Sequence, residues 1–345
     1  MLVVRSAQTT DLPALMILAQ QVGDGMTTLK ADHHMLSNRV ERACASFSGE
    51  LAKEERDYLF VMEDTSNAAL AGVCAIKSTV GLKEPFYNYR IGTLVHSSVE
   101  LNIFSQMETL YLSNDLTGSA ELCSLFLHPD YRTGTNGRLL SKSRFLFMAQ
   151  FPDLFPPLLI AEMRGYQRAD GTSPFWENLG RHFFQMDFKR ADDLSSLGKK
   201  SFIAELMPRH PLYVAYLSKE AQEVIGKVHI DTAPARHLLE QEGMFYAGYV
   251  DIFDGGPVLQ ARISDLRAVR ESVITKVVAP PSEQSADVDA HLVATLELGN
   301  FRVIATRGSG LEQSVGLDSE QLAVLQCAMG ESVRCLPIQS KKHAQ

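Results

Sequence analysis

At 345 residues the chain exceeds one average domain, and 45% hydrophobic with 21% charged residues is an ordinary globular composition. A net charge of −8 argues against general nucleic-acid binding, which needs a basic footprint, and mildly favours a cationic substrate. No apolar run of about 18 residues and no leader pattern occur, so no membrane span is expected and the cytoplasm is the default compartment.

Leu2-Val3-Val4-Arg5 reads as a short strand, after which Thr9-Thr10-Asp11 caps a helix carrying Leu12, Leu15 and Leu18. Residues 38–47 predict a second helix. The stretches 58–62 and 70–76 predict an antiparallel pair around the turn Asp64-Thr65-Ser66-Asn67. The segment 81–118 contains Tyr87-Asn88-Tyr89-Arg90 and Ser113-Asn114-Asp115. It is either a surface hairpin or an insertion that builds a substrate pocket.

Residues 121–148 carry the most informative pattern. An apolar run over 122–127 predicts a buried strand, broken by His128-Pro129-Asp130-Tyr131 because proline cannot join a ladder. Arg132-Thr133-Gly134-Thr135-Asn136-Gly137-Arg138 follows as a loop of small residues, and 139–148 predicts a helix. Strand, loop and helix N-terminus make an anion cradle, with bare N–H groups and the positive end of the helix dipole converging. Phosphate is the expected occupant; an ordinary turn is the alternative. Neither a Walker loop nor a G-x-G-x-x-G dinucleotide loop is present.

Residues 158–163 predict the next strand, with Glu162 and Arg164 on one face. Ser173-Pro174-Phe175-Trp176-Glu177-Asn178-Leu179-Gly180 reads as a capped helix ended by glycine, and 235–245 repeats that pattern. Asp251 and Asp254 are read on a strand terminated by Gly255-Gly256-Pro257. Further strands are predicted at 273–278, 292–296 and 301–305. The linker 279–287 is expected to be mobile and the tail 340–345 disordered. The five cysteines are dispersed without a C-x-x-C pair, so neither a disulfide framework nor a metal site is expected. Cys123 is read as a small buried hydrophobe.

The loop resembles the pyrophosphate loop of the GNAT superfamily of acyl-CoA-dependent N-acyltransferases. Arg132 and Gly137 match its first and last positions, while Thr135 stands where a middle glycine is expected and Gly134 precedes it. Longer motifs are similar to the arginine N-succinyltransferase family along almost the whole chain. They include Tyr87-Asn88-Tyr89-Arg90-Ile91-Gly92, the run 136–145, Ala161-Glu162-Met163-Arg164-Gly165, Ser173-Pro174-Phe175-Trp176 and 249–257.

The resemblance implies an α+β fold with a GNAT-like mixed, mostly antiparallel central sheet flanked by helices. The expected units are an acyl-CoA-binding domain over 1–195, a second αβ unit over 196–260 completing the active site, and a small β-rich C-terminal module over 261–340. The second unit hints at a partial internal duplication. Succinyl-CoA and L-arginine would give N2-succinyl-L-arginine and CoA, with no tightly bound cofactor. A homo-oligomer and a heteromer with a paralogous subunit both stay open, as does use of ornithine.

On the same grounds, backbone at Leu125 and Leu127 would hold the pantetheine and present an N–H to the thioester oxygen. His229 would be the proton donor. Glu121 shares a strand face with Cys123 and Leu125 and is either a proton acceptor for the amine or an ion-paired carboxylate. Asp115, Glu162, Asp251 and Asp254 are candidates for the acceptor's guanidinium, and Arg90 and Arg164 for the succinyl carboxylate. Ordinary salt bridges explain each of these equally well. An acetyl-CoA-dependent GNAT enzyme and a non-catalytic acyl-CoA sensor are the competing readings.

Overall fold

The computed structural model describes residues 1–22, 26, 28–196, 201–208, 210–280, 290–308 and 313–339. Most of the expected mobile linker and all of the expected disordered tail lie outside these. Fifteen strands form one sheet among the described residues. They are β1 (Leu2–Ser6), β2 (Asp57–Asp64), β3 (Ala69–Lys77), β4 (Asn88–Ser98), β5 (Ile103–Ser113), β6 (Ala120–Leu127), β7 (Leu158–Glu162) and β8 (Leu212–Tyr213). The remainder are β9 (Phe245–Val250), β10 (Pro257–Arg262), β11 (Val273–Val278), β12 (Ala290–Ala294), β13 (Arg302–Arg307), β14 (Ser314–Gly316) and β15 (Ser332–Pro337). Their order is β14-β11-β15-β12-β13-β1-β2-β3-β6-β7-β10-β9-β4-β5-β8.

The sheet is mixed and mostly antiparallel, with parallel pairs at β6–β7 and β11–β14. It runs through all three expected units. β13 pairs with β1, so the C-terminal strands extend the first sheet, and β10 pairs with β7, so the 245–262 hairpin does the same on the other side. No described helix is long and apolar enough to cross a membrane.

Helices that pack on the sheet include α1 (Leu12–Gln20), α2 (His33–Phe47) and α3 (Asn136–Gln150). α2 begins five residues earlier than its apolar pattern suggests, because Asp32 accepts from the Met35 amide at 2.8 Å and caps the N-terminus. α3 is buried from Leu139 to Met148, including Lys142 and Arg144. Phe147 packs edge-on against Phe60 and Phe301 with centroids 5.1 and 5.0 Å apart, tying α3 to both halves of the sheet.

Gly180 does not end a helix as expected. It opens the next one, Gly180–Phe184, and a Cβ there would lie 2.2 Å from the Trp176 ring, so close packing is what requires the glycine. The segment 81–118 forms an exposed hairpin whose base reaches a cavity. The far half of the β4–β5 hairpin is exposed at Val95, Val99 and Phe104, while Phe86 and Tyr87 at its base reach the cavity described next.

Candidate active site

β6 and β7 are paired only at Ala120–Leu159 and Glu121–Ile160, and beyond these they part. The register of β6 against β3 slips between Val73 and Ala75, and Ser124, at the slip, has φ 54°. A bulge of this kind bends a strand and re-aims its backbone. Ser124 is held there by its Oγ, which donates to Thr28 Oγ1 at 2.9 Å and accepts from Arg39 Nη1 at 2.7 Å. A cavity of about 810 Å³ occupies the gap, reached by Leu125, Phe126 and Arg132 from one side and by Ala161, Met163 and Arg164 from the other.

The loop after β6 has the cradle geometry. Pro129–Tyr131 forms one 3-10 turn, Arg132 Nε donates to the Leu127 carbonyl at 2.9 Å, and Asn136 Nδ2 donates to the Tyr131 carbonyl at 3.0 Å. Thr133 N–H is used on the Tyr131 carbonyl at 2.8 Å. Among the described residues, none accepts from the amides of Gly134, Thr135, Gly137 and Arg138 at the mouth of α3. Gly134 takes φ +56° while Thr135 sits at φ −102°, so the left-handed position lies one residue earlier than the family pattern places its glycine.

The two faces of the sheet differ in charge at the gap. Leu122 and Ala161 point toward α3 and join its apolar core. Alternate residues Glu121 and Glu162 point the other way and line the cavity with Asp192, Asp251 and Asp254. Glu121 accepts from Lys77 Nζ at 2.8 Å, its partner in register on β3. Glu162 accepts from Asn88 Nδ2 at 2.8 Å. Burial, then the charge of Asp251, pushes the Glu162 carboxyl well above the usual range. Burial raises Asp251, and burial followed by Asp251 pushes Asp254 well up. Asp192 is raised by burial against the opposing pull of Lys30, 3.3 Å away.

Asp251 and Asp254 lie in the turn between β9 and β10, not on a strand as expected. Asp251 Oδ1 accepts from the Phe253 and Asp254 amides at 2.7 and 2.9 Å, and local bonds of this kind compete with a ladder. Asp254 Oδ2 accepts from the Gly165 amide at 2.6 Å, drawing the turn onto the end of β7. Gly256 permits that approach, since a Cβ there would lie 2.1 Å from the Met163 carbonyl oxygen.

His229 adjoins the same end of β7, its amide donating to the Arg164 carbonyl at 2.8 Å. Its Nδ1 accepts from the Asp231 amide at 3.2 Å; His229 does not itself line the cavity, while its neighbours Asp231 and Thr232 do. Burial, and secondarily the Arg164 guanidinium, hold the imidazole below its ordinary pKa. Arg90 and Asp115 are placed elsewhere. They pair with each other at 3.3 Å on the exposed side of the hairpin, where Tyr249 donates to Asp115 at 3.0 Å, and neither lines the cavity. Lys77, Asn88, Asp192 and Arg144 were not singled out from the sequence. A lysine or asparagine at a strand end carries no local mark, and only the closed sheet brings Lys77 and Asn88 against Glu121 and Glu162, while Asp192 and Arg144 reach the cavity from helices.

Comparison with known proteins identifies the family. The model of the family described as arginine N-succinyltransferase beta subunit matches residues 2–268. The chain is 52% identical over 334 residues to arginine N-succinyltransferases of Escherichia coli strain 55989 and Shigella dysenteriae serotype 1, covering 97% of each chain. The structure of arginine/ornithine succinyltransferase subunit AI from Pseudomonas aeruginosa superposes with a TM-score of 0.90 at 35% identity, covering 99% of both chains. The chain belongs to the arginine N-succinyltransferase beta subunit family.

Proposed function

We propose that this protein transfers the succinyl group of succinyl-CoA to the α-amine of L-arginine, giving N2-succinyl-L-arginine and CoA. The observation that carries the reading is one cavity in which a parted β6–β7 pair beside a bare-amide loop meets buried carboxylates. In this reading the amides around Arg132–Arg138 and the Arg132 and Arg138 side chains hold the diphosphate. The backbone of Leu125 and Leu127 holds the pantetheine and offers an N–H to the thioester oxygen. Glu162, Asp251 and Asp254, costly to ionise without a cation, take the guanidinium. Arg164 takes a substrate carboxylate.

The chemistry is direct. Glu121 accepts a proton from the α-ammonium, itself or through water, and the amine attacks the thioester carbonyl carbon. The tetrahedral oxyanion collapses and breaks the C–S bond. His229, neutral at rest, collects the second proton from the attacking nitrogen and donates it to the departing thiolate. No covalent intermediate is needed, and burial keeps the Cys123 thiol protonated. The reading makes this the first step of an arginine-catabolic route to glutamate and succinate in the cytoplasm. The expected assembly is a homo-oligomer or a heteromer with a paralogous subunit.

The test is thiol release from succinyl-CoA and acetyl-CoA, each with arginine, ornithine and lysine. Release that needs both succinyl-CoA and arginine supports the reading. A preference for acetyl-CoA, or saturable acyl-CoA binding without turnover, rejects it in favour of another acyltransferase or a sensor.

A further inference from the structure

Succinyl-CoA and arginine bring opposite charges into one cavity, and the structure separates the groups that would meet them. Carboxylates gather on the sheet face that carries Glu121 and Glu162. On the opposite face, of the cations carried by α3, Arg144 lines the cavity although only 2% of its surface is accessible.

The partners of Arg144 are unusually poor. Its Nε and Nη2 donate to the Ser141 carbonyl and Oγ at 3.2 and 3.1 Å, both within its own helix. Among the described residues no carboxylate pairs with it and none accepts from Nη1. The groups acting on its charge are the thiols of Cys74 and Cys123. Burial pushes the Cys74 thiol up to about 11 and raises Cys123 as well, so neither supplies an anion near neutrality. A buried guanidinium without a counter-charge is strongly disfavoured, and an anion that enters with the substrate relieves it.

Other cations at the cavity differ from Arg144: Arg42 is exposed, and Arg164, whose Nε finds no partner among the described residues, is differently placed. Lys77 is paired with Glu121, Lys83 with Glu55, and Arg132 Nε with a carbonyl. Arg164 carries Gln167 at 2.5 Å and stands beside His229 at the acidic end of β7. Arg144 lines the cavity together with Leu122 and Ala161, the α3-facing residues just beyond the last β6–β7 pairs, where an acyl chain would point once its thioester lies along β6.

We propose that Arg144 is the specificity-determining residue for the acyl donor, gripping the terminal carboxylate of the succinyl chain with its guanidinium fork. The acidic face then takes the cationic acceptor, and Arg164 is left for the α-carboxylate of arginine. This inference rests on the succinyl-transfer reading above.

The experiment compares succinyl-CoA with butyryl-CoA, which keeps the chain length and replaces the carboxylate by a methyl group, at saturating arginine. Wild-type protein should favour succinyl-CoA in kcat/KM. Arg144→Met should lower kcat/KM for succinyl-CoA by roughly 10²–10³-fold, leave butyryl-CoA within a few-fold, and leave inhibition by free CoA unchanged. Arg144→Lys, which keeps the charge without the fork, should fall between the two. An unchanged succinyl-to-butyryl ratio in either folded variant would overturn the assignment. Should both variants fail to fold, a structure of the wild-type protein with a non-transferable thioether analogue of succinyl-CoA decides. Its carboxylate on Arg144 supports the proposal, and on Arg164 or Lys77 overturns it. Wild-type protein that transfers no succinyl group overturns the functional reading and this inference together. Succinyl transfer with an unaltered ratio removes Arg144 alone.

Discussion

Arg39 Nη1 lies 2.7 Å from the Oγ of Ser124, the point at which β6 leaves regular strand geometry. The same guanidinium pairs with the buried Asp57 through Nε at 2.8 Å and Nη2 at 3.1 Å. One side chain of α2 thus fixes the bulge from which the strand opens toward the cavity. A non-glycine residue at φ 54° costs on the order of 1–3 kcal/mol and persists only when its surroundings impose it.

Arg39→Met should therefore destabilise the protein by about 3–5 kcal/mol, because Asp57 is left buried without its cation. Urea unfolding measures this. A loss under about 1 kcal/mol would show that the bulge stands without Arg39.

His229→Ala is expected to retain acyl-CoA affinity and to lose turnover by roughly 10²–10⁴-fold. In the proposed cycle His229 must start neutral, so wild-type turnover should fall as pH drops through its lowered pKa, below 6.5. Arg164→Met removes a charge that lowers this pKa, so the acidic limb should move to higher pH. A pH profile with the limb unmoved in Arg164→Met, or still present in His229→Ala, would remove the imidazole from that role.

Glu162 gives a stability prediction of definite sign. Its carboxyl titrates well above its unfolded value, so the folded state holds the proton more tightly than the unfolded one. Stability without substrate should then decline as pH rises through the raised pKa and recover as it falls. Glu162→Gln should flatten this dependence and raise stability at pH 8 by on the order of 1–2 kcal/mol, while weakening arginine binding at least about tenfold. Thermal melts across pH, with and without arginine, test both halves. A variant less stable than wild type at pH 8 contradicts the first.

Gly134 and Thr135 test the displaced loop glycine. Gly134 has open space around it, so Gly134→Val acts through backbone conformation alone and should weaken CoA binding by roughly 1–2 kcal/mol. Thr135→Gly should change affinity little, because Thr135 already sits at an ordinary φ of −102°. Calorimetric titration with CoA compares them, and tighter binding by the Thr135 variant would restore the family register.

Local chemistry made part of this protein legible in its sequence. The apolar run over 122–127, its break at Pro129 and the glycines on either side of Asn136 specified strand, turn and helix N-terminus, because each depends on neighbours a few residues away. The strand pair around Asp64-Thr65-Ser66-Asn67 and the strand at 273–278 were readable for the same reason. Glu162 and Arg164, two residues apart at one strand end, both line the cavity.

Charge matching across long separations was not legible. Glu121 meets Lys77 because β6 pairs with β3. Arg90 and Asp115 looked equally eligible, but the antiparallel hairpin turns them to solvent and onto each other. The raised pKa of Glu162, Asp251 and Asp254 is likewise a product of burial, which no residue carries alone. Sequence by itself determined where the chain could cradle an anion; only the tertiary structure decided which charges are buried together and which are left without a partner, because desolvation and Coulomb energy depend on distances that side chains acquire only when the sheet closes around them.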